Sequence, residues 1–185
     1  MSSAKIIIGN LLIAEPSSVY DQPFNRSIVL LTEYNEEGTV GFIINKPLDY
    51  SINDLIPTII AEFSVFYGVP VSPDNVYFIH NVPEIISDGI EIAPGIFWGG
   101  DFETVLTLLN ANALKTNEIK FFIGYSGWSE GQLEAEIETK SWITRQSTNE
   151  LIFDTKAEQI WKNALKDLDG EYKQMIHYPL DPQIN

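Results

Sequence analysis

The sequence predicts an α+β fold in one domain. Short apolar runs separated by glycine- and proline-containing turns dominate the first hundred residues, whereas apolar residues at helical spacing dominate the remainder. No strand–helix–strand unit repeats along the chain, so a parallel α/β sheet is not expected. A length of 185 residues with no linker or internal repeat fits a single domain spanning residues 1–185.

The first strands are predicted as an antiparallel hairpin. Residues 27–31 and 40–44 are apolar runs, and the polar turn Asn35-Glu36-Glu37-Gly38 lies between them. Two such runs joined by a short glycine-containing turn are typical of a hairpin. A further apolar run at 11–14 predicts one more strand, which the following proline ends.

Short elements are predicted after the hairpin. Ser51 precedes Asp54 by three residues, and this capping pattern predicts a short helix to about residue 56. We expect Gly68-Val69-Pro70 and a turn at 72–75 to separate two strands, and we expect a loop over 81–95. The three strands predicted in this region cover 63–67, 76–80 and 96–98.

The second half of the chain is predicted to be mostly helical around one buried strand at 119–125. Asp101 is expected to cap a helix, and its apolar residues recur every three or four positions. Those residues are Phe102, Val105, Leu106, Leu109 and Ala113. Three capping boxes predict further helix starts, at Ser129 with Gln132, Ser147 with Glu150, and Thr155 with Glu158.

The last of these helices has the clearest apolar stripe, which is expected to end near Gly170. The stripe consists of Ile160, Trp161, Ala164, Leu165 and Leu168. The tail at 178–185 is rich in proline and is expected to be poorly ordered.

The charge and the residue types exclude several functions. The net charge is −15, and no cluster of Lys and Arg occurs, so direct binding to nucleic acid or to an anionic membrane is not expected. The absence of cysteine excludes disulfides and thiolate sites. No apolar run approaches the length needed to span a membrane, and we expect a cytoplasmic protein.

Ser126 is the one serine placed where a nucleophile could lie, because a strand, a glycine turn and a helix are predicted around it. The nucleophile motif is Gly-x-Ser-x-Gly, but Gly124-Tyr125-Ser126-Gly127-Trp128 has its second glycine one position early. A catalytic triad would also need a histidine, and the chain has only His80 and His177. We therefore favour a structural role, with a tight turn and Trp128 as a packing anchor.

A run of acids follows this stretch. On a helix, Glu130, Glu134 and Glu138 would share one face, which is compatible with a metal site or with a solvated surface. The solvated surface is favoured because neither histidine is near in sequence. Accordingly we assign no metal ligand, no cofactor-binding residue and no catalytic residue.

The assembled motifs closely resemble the AlgH/YqgE family of bacterial proteins. The resemblance covers about residues 9–169. It rests on Gly9-Asn10-Leu11-Leu12-Ile13-Ala14, Asp21, Phe24-Asn25-Arg26-Ser27, Gly41-Phe42-Ile43-Ile44-Asn45-Lys46-Pro47, Phe122-Ile123-Gly124-Tyr125-Ser126-Gly127-Trp128, Gly131-Gln132-Leu133-Glu134 and Ser141-Trp142. Two positions depart from the family pattern. The family usually has Gly-Gly-Pro at Gly68-Val69-Pro70, and it commonly has Ala at the position of Ser126.

The resemblance implies a single α+β domain with a bifurcated, barrel-like, mostly antiparallel β-sheet surrounded by helices. Members of the family are often labelled transcriptional regulators, but no established activity, cofactor or catalytic residue comes with the resemblance. Given the charge, we expect regulation through a protein partner or a small ligand, and we lean against an enzyme. The alternative is a ligand-binding domain or an enzyme that uses a cleft near residues 124–132. The candidate pocket residues are Arg26, Asn45, Tyr125, Ser126, Trp128 and Gln132.

Overall fold

The computed structural model describes residues 5–16, 24–166, 168 and 170–177, and at residues 69–73 it describes the backbone alone. The predicted tail at 178–185 lies outside the described residues. Within these ranges, nine strands form one sheet. They are β1 (Asn10–Ala14), β2 (Ile28–Asn35), β3 (Gly38–Ile43), β4 (Pro47–Ser51), β5 (Ser64–His80), β6 (Ile90–Ala93), β7 (Ile96–Trp98), β8 (Ile119–Ser129) and β9 (Trp142–Gln146).

Helical segments surround this sheet. The α-helices are α1 (Ile52–Leu55), α2 (Phe102–Asn110), α3 (Gln132–Glu138) and α4 (Ala157–Lys166). A π-helix covers Glu150–Asp154 and a 3-10 helix covers Gly170–His177. Strands therefore dominate the first half of the chain and helices the end, which confirms the predicted α+β class.

The sheet is curled and has the strand order β6-β7-β5-β8-β3-β2-β1-β9, with β4 added on β5. The first half of β8 lies between two segments of β5, because Phe122 aligns with both Phe66 and Tyr77. The second half of β8 pairs instead with β3, from Gly41 opposite Ser126 to Gly38 opposite Ser129. The sheet therefore forks along β8, and this confirms the bifurcated sheet that the family resemblance implies.

Three groups of buried side chains hold the layers together. The largest includes Phe42 and Phe122 on the sheet and Trp161 on α4. A second group packs α1 and α2 against β5 and β8, and a third packs α3 beside Trp128 and Trp142. Since apolar burial is the main favourable term in folding, these groups fix where the helices lie on the sheet.

Several predicted elements agree with the structure. The hairpin is confirmed as β2 and β3, and the short helix after Ser51 is confirmed as α1, with the Ser51 N–H donating to the Asp54 carboxylate at 2.8 Å. The helix after Asp101 is confirmed as α2, and the Asp101 carboxylate accepts a hydrogen bond from the Thr104 N–H at 3.2 Å. Four residues of the predicted apolar stripe are buried on α4, but the helix ends at Lys166, so Leu168 lies beyond it and is half-buried.

The predicted glycine turn at 124–127 is wrong. These residues lie inside β8, and the chain turns only at 130–131, before α3. Glycine is required instead on β5, because the backbone of Gly68 crosses Gly124 so closely that a Cβ at Gly68 would overlap the Gly124 carbonyl. The predicted breaks at 68–70 and 72–75 likewise lie within β5.

Other predictions about strands and helix starts are also wrong. The loop expected over 81–95 contains β6, and β9 was not predicted. The box at Ser147 does not start an α-helix, since the π-helix begins at Glu150 and its Leu151 N–H bonds to Thr148 instead. Helix α3 begins at Gln132, so only the Gln132 half of the Ser129 box is formed, with the Ser129 N–H donating to Gln132 at 3.1 Å.

Candidate functional site

Ser126 lies where the sheet forks. Its hydroxyl donates a hydrogen bond of 2.9 Å to the carbonyl of Gly68, and the residue is 3% exposed. That bond joins β8 to β5 at the point where β8 takes β3 as its partner. The hydroxyl therefore links β8 to the backbone of β5, a structural role that differs from the tight turn expected from the sequence.

The buried histidine is far from Ser126. His80 pairs with Ile119, seven residues before Ser126 on β8, so about 20 Å of strand separates them. Both ring nitrogens of His80 have backbone partners, Gly99 O at 3.1 Å and Val82 N at 3.3 Å. Burial lowers the pKa of His80, which favours the neutral ring in this setting. The pair does not form a nucleophile–base arrangement.

The carboxylate of Glu136 organises the turn that follows β8. It accepts hydrogen bonds from the indole N–H of Trp128 at 2.9 Å and of Trp142 at 2.7 Å. Gln132 donates a third at 3.0 Å. The two indole rings meet edge to face with centroids 6.0 Å apart. Trp128 is 6% exposed, so the predicted packing anchor is confirmed, and Glu136 is the acceptor that joins β8, α3 and β9.

Arg26 and Asn45 meet at the other end of β3. The Asn45 side chain accepts from the Ile28 N–H at 2.8 Å and donates to the Arg26 carbonyl at 2.9 Å. The Arg26 guanidinium lies 4.7 Å from the ring centroid of Trp161, and burial lowers its pKa. Asn45 therefore ties the chain after β3 to the start of β2, and Arg26 reaches across to α4.

The six predicted pocket residues therefore form separate groups. Arg26 contacts Asn45, and Trp128 and Gln132 meet through Glu136, while Ser126 faces Gly68. Tyr125 is half-buried, and its ring lies edge to face with Tyr77 at 6.1 Å. Of the six, Tyr125 and Trp128 line one cleft together.

Two adjoining clefts lie where the cleft near residues 124–132 was expected. One, of about 340 Å³, runs between the tip of the β2–β3 hairpin and β8, where Tyr125, Gly127, Trp128 and Ser129 line it. The other, of about 310 Å³, runs between the same tip and the start of α3. Both clefts share Asn35, Gly38 and Thr39. We call them the hairpin clefts. Their linings include five glutamates: Glu33, Glu36, Glu37, Glu130 and Glu134.

The predicted acidic stripe is only partly correct. Glu130 precedes α3, so it does not share a helical face with Glu134 and Glu138. Glu134 instead accepts a hydrogen bond from the Tyr34 hydroxyl at 2.9 Å. This hydrogen bond, together with the negative charge of Glu134, raises the pKa of Tyr34. The described residues contain no group of three or more His, Asp or Glu side chains placed to hold a metal ion.

Lys120 is the residue that the sequence reasoning missed. It is 7% exposed on β8, and its ammonium lies 4.1 Å from the ring centroid of Phe66 and 3.5 Å from the carbonyl of Ile44. Within the described chain it forms no ion pair. Burial lowers its pKa to about 8. The sequence does contain a sign of this buried lysine, because Lys120 interrupts an apolar run that reads Ile-Lys-Phe-Phe-Ile.

Comparison with solved structures gives the class of fold. The solution structure of the AlgH protein from Pseudomonas aeruginosa superposes with a TM-score of 0.72 at 23% identity, covering 97% of both chains. The crystal structure of a Corynebacterium diphtheriae protein superposes with a TM-score of 0.73 at 19% identity, covering 96% of this chain and 95% of that one. The forked sheet with its surrounding helices is therefore an AlgH-type fold.

Sequence comparison gives the family. The AlgH-like family profile matches residues 11–173. A UPF0301 protein of Chlorobaculum tepidum is 38% identical over 96% of this chain and 95% of its own length. A UPF0301 protein of Cytophaga hutchinsonii is 39% identical over 96% of this chain and 98% of its own. The chain belongs to the AlgH-like family, the AlgH/YqgE family of the predicted resemblance. Among the described residues, no helix is long and apolar enough to cross a membrane.

Proposed function

We propose that this chain is a binding domain with a regulatory role, and that the hairpin clefts take a basic segment of a protein partner. One observation carries the proposal. The two clefts share Asn35, Gly38 and Thr39 at the hairpin tip, and the residues that line them include five glutamates but no lysine or arginine. A concave surface of one charge sign favours a partner of the opposite sign.

The lining of the clefts suits the shape of a lysine or arginine side chain. Four of the five glutamates are exposed, so their carboxylates meet solvent and an incoming cation. Val40, Tyr125 and Trp128 add apolar surface beside them. Long basic side chains lay their apolar stems on such surface while the charged end reaches a carboxylate. An aromatic ring nearby adds a cation–π contribution.

The regulatory label carried by the family fits contact with a protein better than contact with DNA. Affinity for DNA comes largely from Lys and Arg that neutralise phosphates. This chain carries a net charge of −15, and its clefts are acidic. If it regulates transcription, we propose that it does so through a basic segment of a protein that itself contacts nucleic acid.

A small cationic ligand is the second candidate for the same clefts. Their volumes, about 310 and 340 Å³, fall at the lower end of the range for small-molecule pockets. The enzyme alternative has less support, because the Ser126 hydroxyl is bonded to Gly68 and the nearest buried histidine lies far along the strand.

The test is a charge-matched comparison of binding. A fluorescein-labelled 12-residue peptide of alternating Lys-Gly and Arg-Gly pairs is titrated by fluorescence anisotropy at 150 mM KCl. The triple variant Glu37→Gln, Glu130→Gln and Glu134→Gln should weaken binding at least tenfold. The control variant changes Glu62, Glu84 and Glu103 to Gln, which lowers the net negative charge equally at exposed sites elsewhere. It should weaken binding less than twofold.

Two results would contradict the proposal, and a third would support the small cationic ligand. Equal weakening by both triple variants would mean that only net charge attracts the peptide, and the clefts would not be the site. Tight binding of a 30-base-pair DNA duplex under the same conditions would overturn the protein-partner proposal. Spermidine that displaces the peptide at micromolar concentration would instead support the small cationic ligand.

A further inference from the structure

The strand β9 forms one end of the sheet and has a single partner in the described structure. It pairs with β1 alone, from Asn10 opposite Gln146 to Ala14 opposite Trp142. An edge strand exposes a row of backbone N–H and C=O groups that can pair with another chain. The hairpin clefts are built from β2, β3, β8 and the start of α3, so this edge is a separate surface.

The register determines which backbone groups of β9 point outward. The Glu15 N–H donates to the Ser141 carbonyl at 3.1 Å, so the backbone groups of Ser141 point towards β1. In an antiparallel pair this orientation alternates along the strand, so Trp142 and Thr144 direct their N–H and C=O groups away from β1. Among the described residues, no backbone group outside the ladder bonds to these groups.

Beside this edge lies a groove of about 660 Å³, which we call the β9 groove. The end of α3 and the turn after it line one side, and Leu168 with the 3-10 helix lines the other. Its apolar lining consists of Ile137, Trp142, Ile143, Leu168, Tyr172 and Met175. Its charged lining consists of Glu15, Lys140 and Glu171. Unpaired strand edges and apolar walls together are the features of a site for an added strand.

We propose that the β9 groove binds an extended segment of a partner protein, which adds to the sheet as a strand beside β9. The outward N–H and C=O groups of Trp142 and Thr144 pair with the backbone of that segment. Its alternate side chains are apolar and lie against Tyr172 and Met175. Five residues of β9 extend about 17 Å, so the bound segment is about five residues long.

The chemistry of the groove favours this occupant over others. Two carboxylates and one ammonium line it, in a chain of net charge −15, so a basic residue at one end of the segment is favoured. A second copy of this chain would bring an equal net negative charge to the interface. It would also have to fit its own α3 and 3-10 helix past those of the first copy.

The experiment selects peptides and then examines their backbone contacts. Random 12-residue peptides displayed on phage are selected against the full chain, and the best are synthesised and titrated by anisotropy. Each backbone N–H of a selected peptide is then methylated in turn. Methylation at every second position should weaken binding at least tenfold, and methylation at the positions between should change it less than threefold, because only alternate N–H groups face β9.

The protein variants provide the matched comparison. Thr144→Pro removes one outward N–H and leaves the ladder with β1 intact, so the variant should fold but bind the peptides at least tenfold more weakly. Tyr172→Ala should also weaken binding. The triple glutamate variant of the hairpin clefts should bind these peptides as the parent does, so failure of either proposal can be distinguished from failure of the other.

Other results would overturn the proposal. No selected peptide binding more tightly than 100 µM would do so, as would methylation effects without a period of two. A tenfold gain in affinity on deleting residues 178–185 would assign the groove to the chain's own tail. A dimer that dissociates in Thr144→Pro, measured by analytical ultracentrifugation, would assign it to a second copy.

Discussion

At Lys120 the fold places an ammonium group among apolar side chains. Its contacts are the ring of Phe66 and a long hydrogen bond to the Ile44 carbonyl, and burial holds its pKa at about 8. A buried charge costs free energy unless it is paired. The charged form therefore lowers the stability of the folded chain at neutral pH.

The pH dependence of stability tests this directly. The folded pKa of about 8 lies below the ordinary value of 10.5, so the unfolded chain binds the proton more tightly between these values. Stability of the parent should therefore rise with pH across this window. Relative to Lys120→Met, the parent should gain about 3 kcal/mol in free energy of unfolding between pH 7 and pH 10.5.

Urea unfolding at each pH provides the measurement, and the difference between parent and variant cancels the titration of other groups. Lys162→Met, at an exposed position of α4, is the control and should show a constant difference. A constant difference for Lys120→Met as well would show that the ammonium is well solvated in the folded state.

Single residues were predictable from the sequence when their role depends on neighbours in the chain. The cap at Asp101 and the burial of Trp128 are confirmed. The acceptor of the Ser126 hydroxyl is Gly68, and the two residues are 58 positions apart, so no local pattern could reveal it. The role of Glu136 also depends on Trp142 beginning an unpredicted strand.

At the scale of elements, the hairpin was predictable because its strands and turn are contiguous. Strand β8 was misread because Gly124 and Gly127 resemble a turn, whereas both lie inside the strand and Gly68 on β5 permits the close crossing with Gly124. Strand β9 was missed because its partner β1 lies more than a hundred residues away in the sequence. Whether a short segment forms a strand depends on long-range pairing, which the sequence does not show.

Trp128 connects β8, α3 and β9, and its substitution tests this connection. Trp128→Ala should lower the free energy of unfolding by about 3–5 kcal/mol, because a buried aromatic side chain is removed. Trp128→Phe should lower it by about 1–2 kcal/mol, since Glu136 keeps its hydrogen bonds from Trp142 and Gln132.

Urea unfolding monitored by far-UV circular dichroism gives both values without depending on the tryptophan that is changed. Tyr50→Ala, at an exposed position on β4, is the control and should change stability by less than about 0.5 kcal/mol. A Trp128→Ala protein as stable as the parent would mean that the ring contributes little to packing and is available for binding.

Across the whole molecule, acidic residues far outnumber basic ones. The chain carries 26 acidic and 11 basic residues, and an ion pair joins Lys115 to Glu118 at 3.5 Å, so acids remain in large excess. Most acids therefore repel one another across the surface. The class of fold and the acidity were both predictable from the sequence, but the placement of acids around the hairpin clefts required the tertiary structure.

This repulsion should make the folded chain more stable as salt is added. Mobile ions screen charges that lie further apart than the Debye length, which falls from about 20 Å at 20 mM salt to about 6 Å at 300 mM. Screening weakens repulsion and attraction alike, and with a net charge of −15 the repulsion is the larger of the two. We expect a gain of about 1 kcal/mol in the free energy of unfolding between these concentrations, which raises the Tm by about 2–4 °C.

Differential scanning calorimetry in KCl and in tetramethylammonium chloride should give the same rise in Tm, because screening depends on ionic strength and not on the cation. A Tm that falls with salt would mean that attractive pairs outweigh the repulsion of the net negative charge.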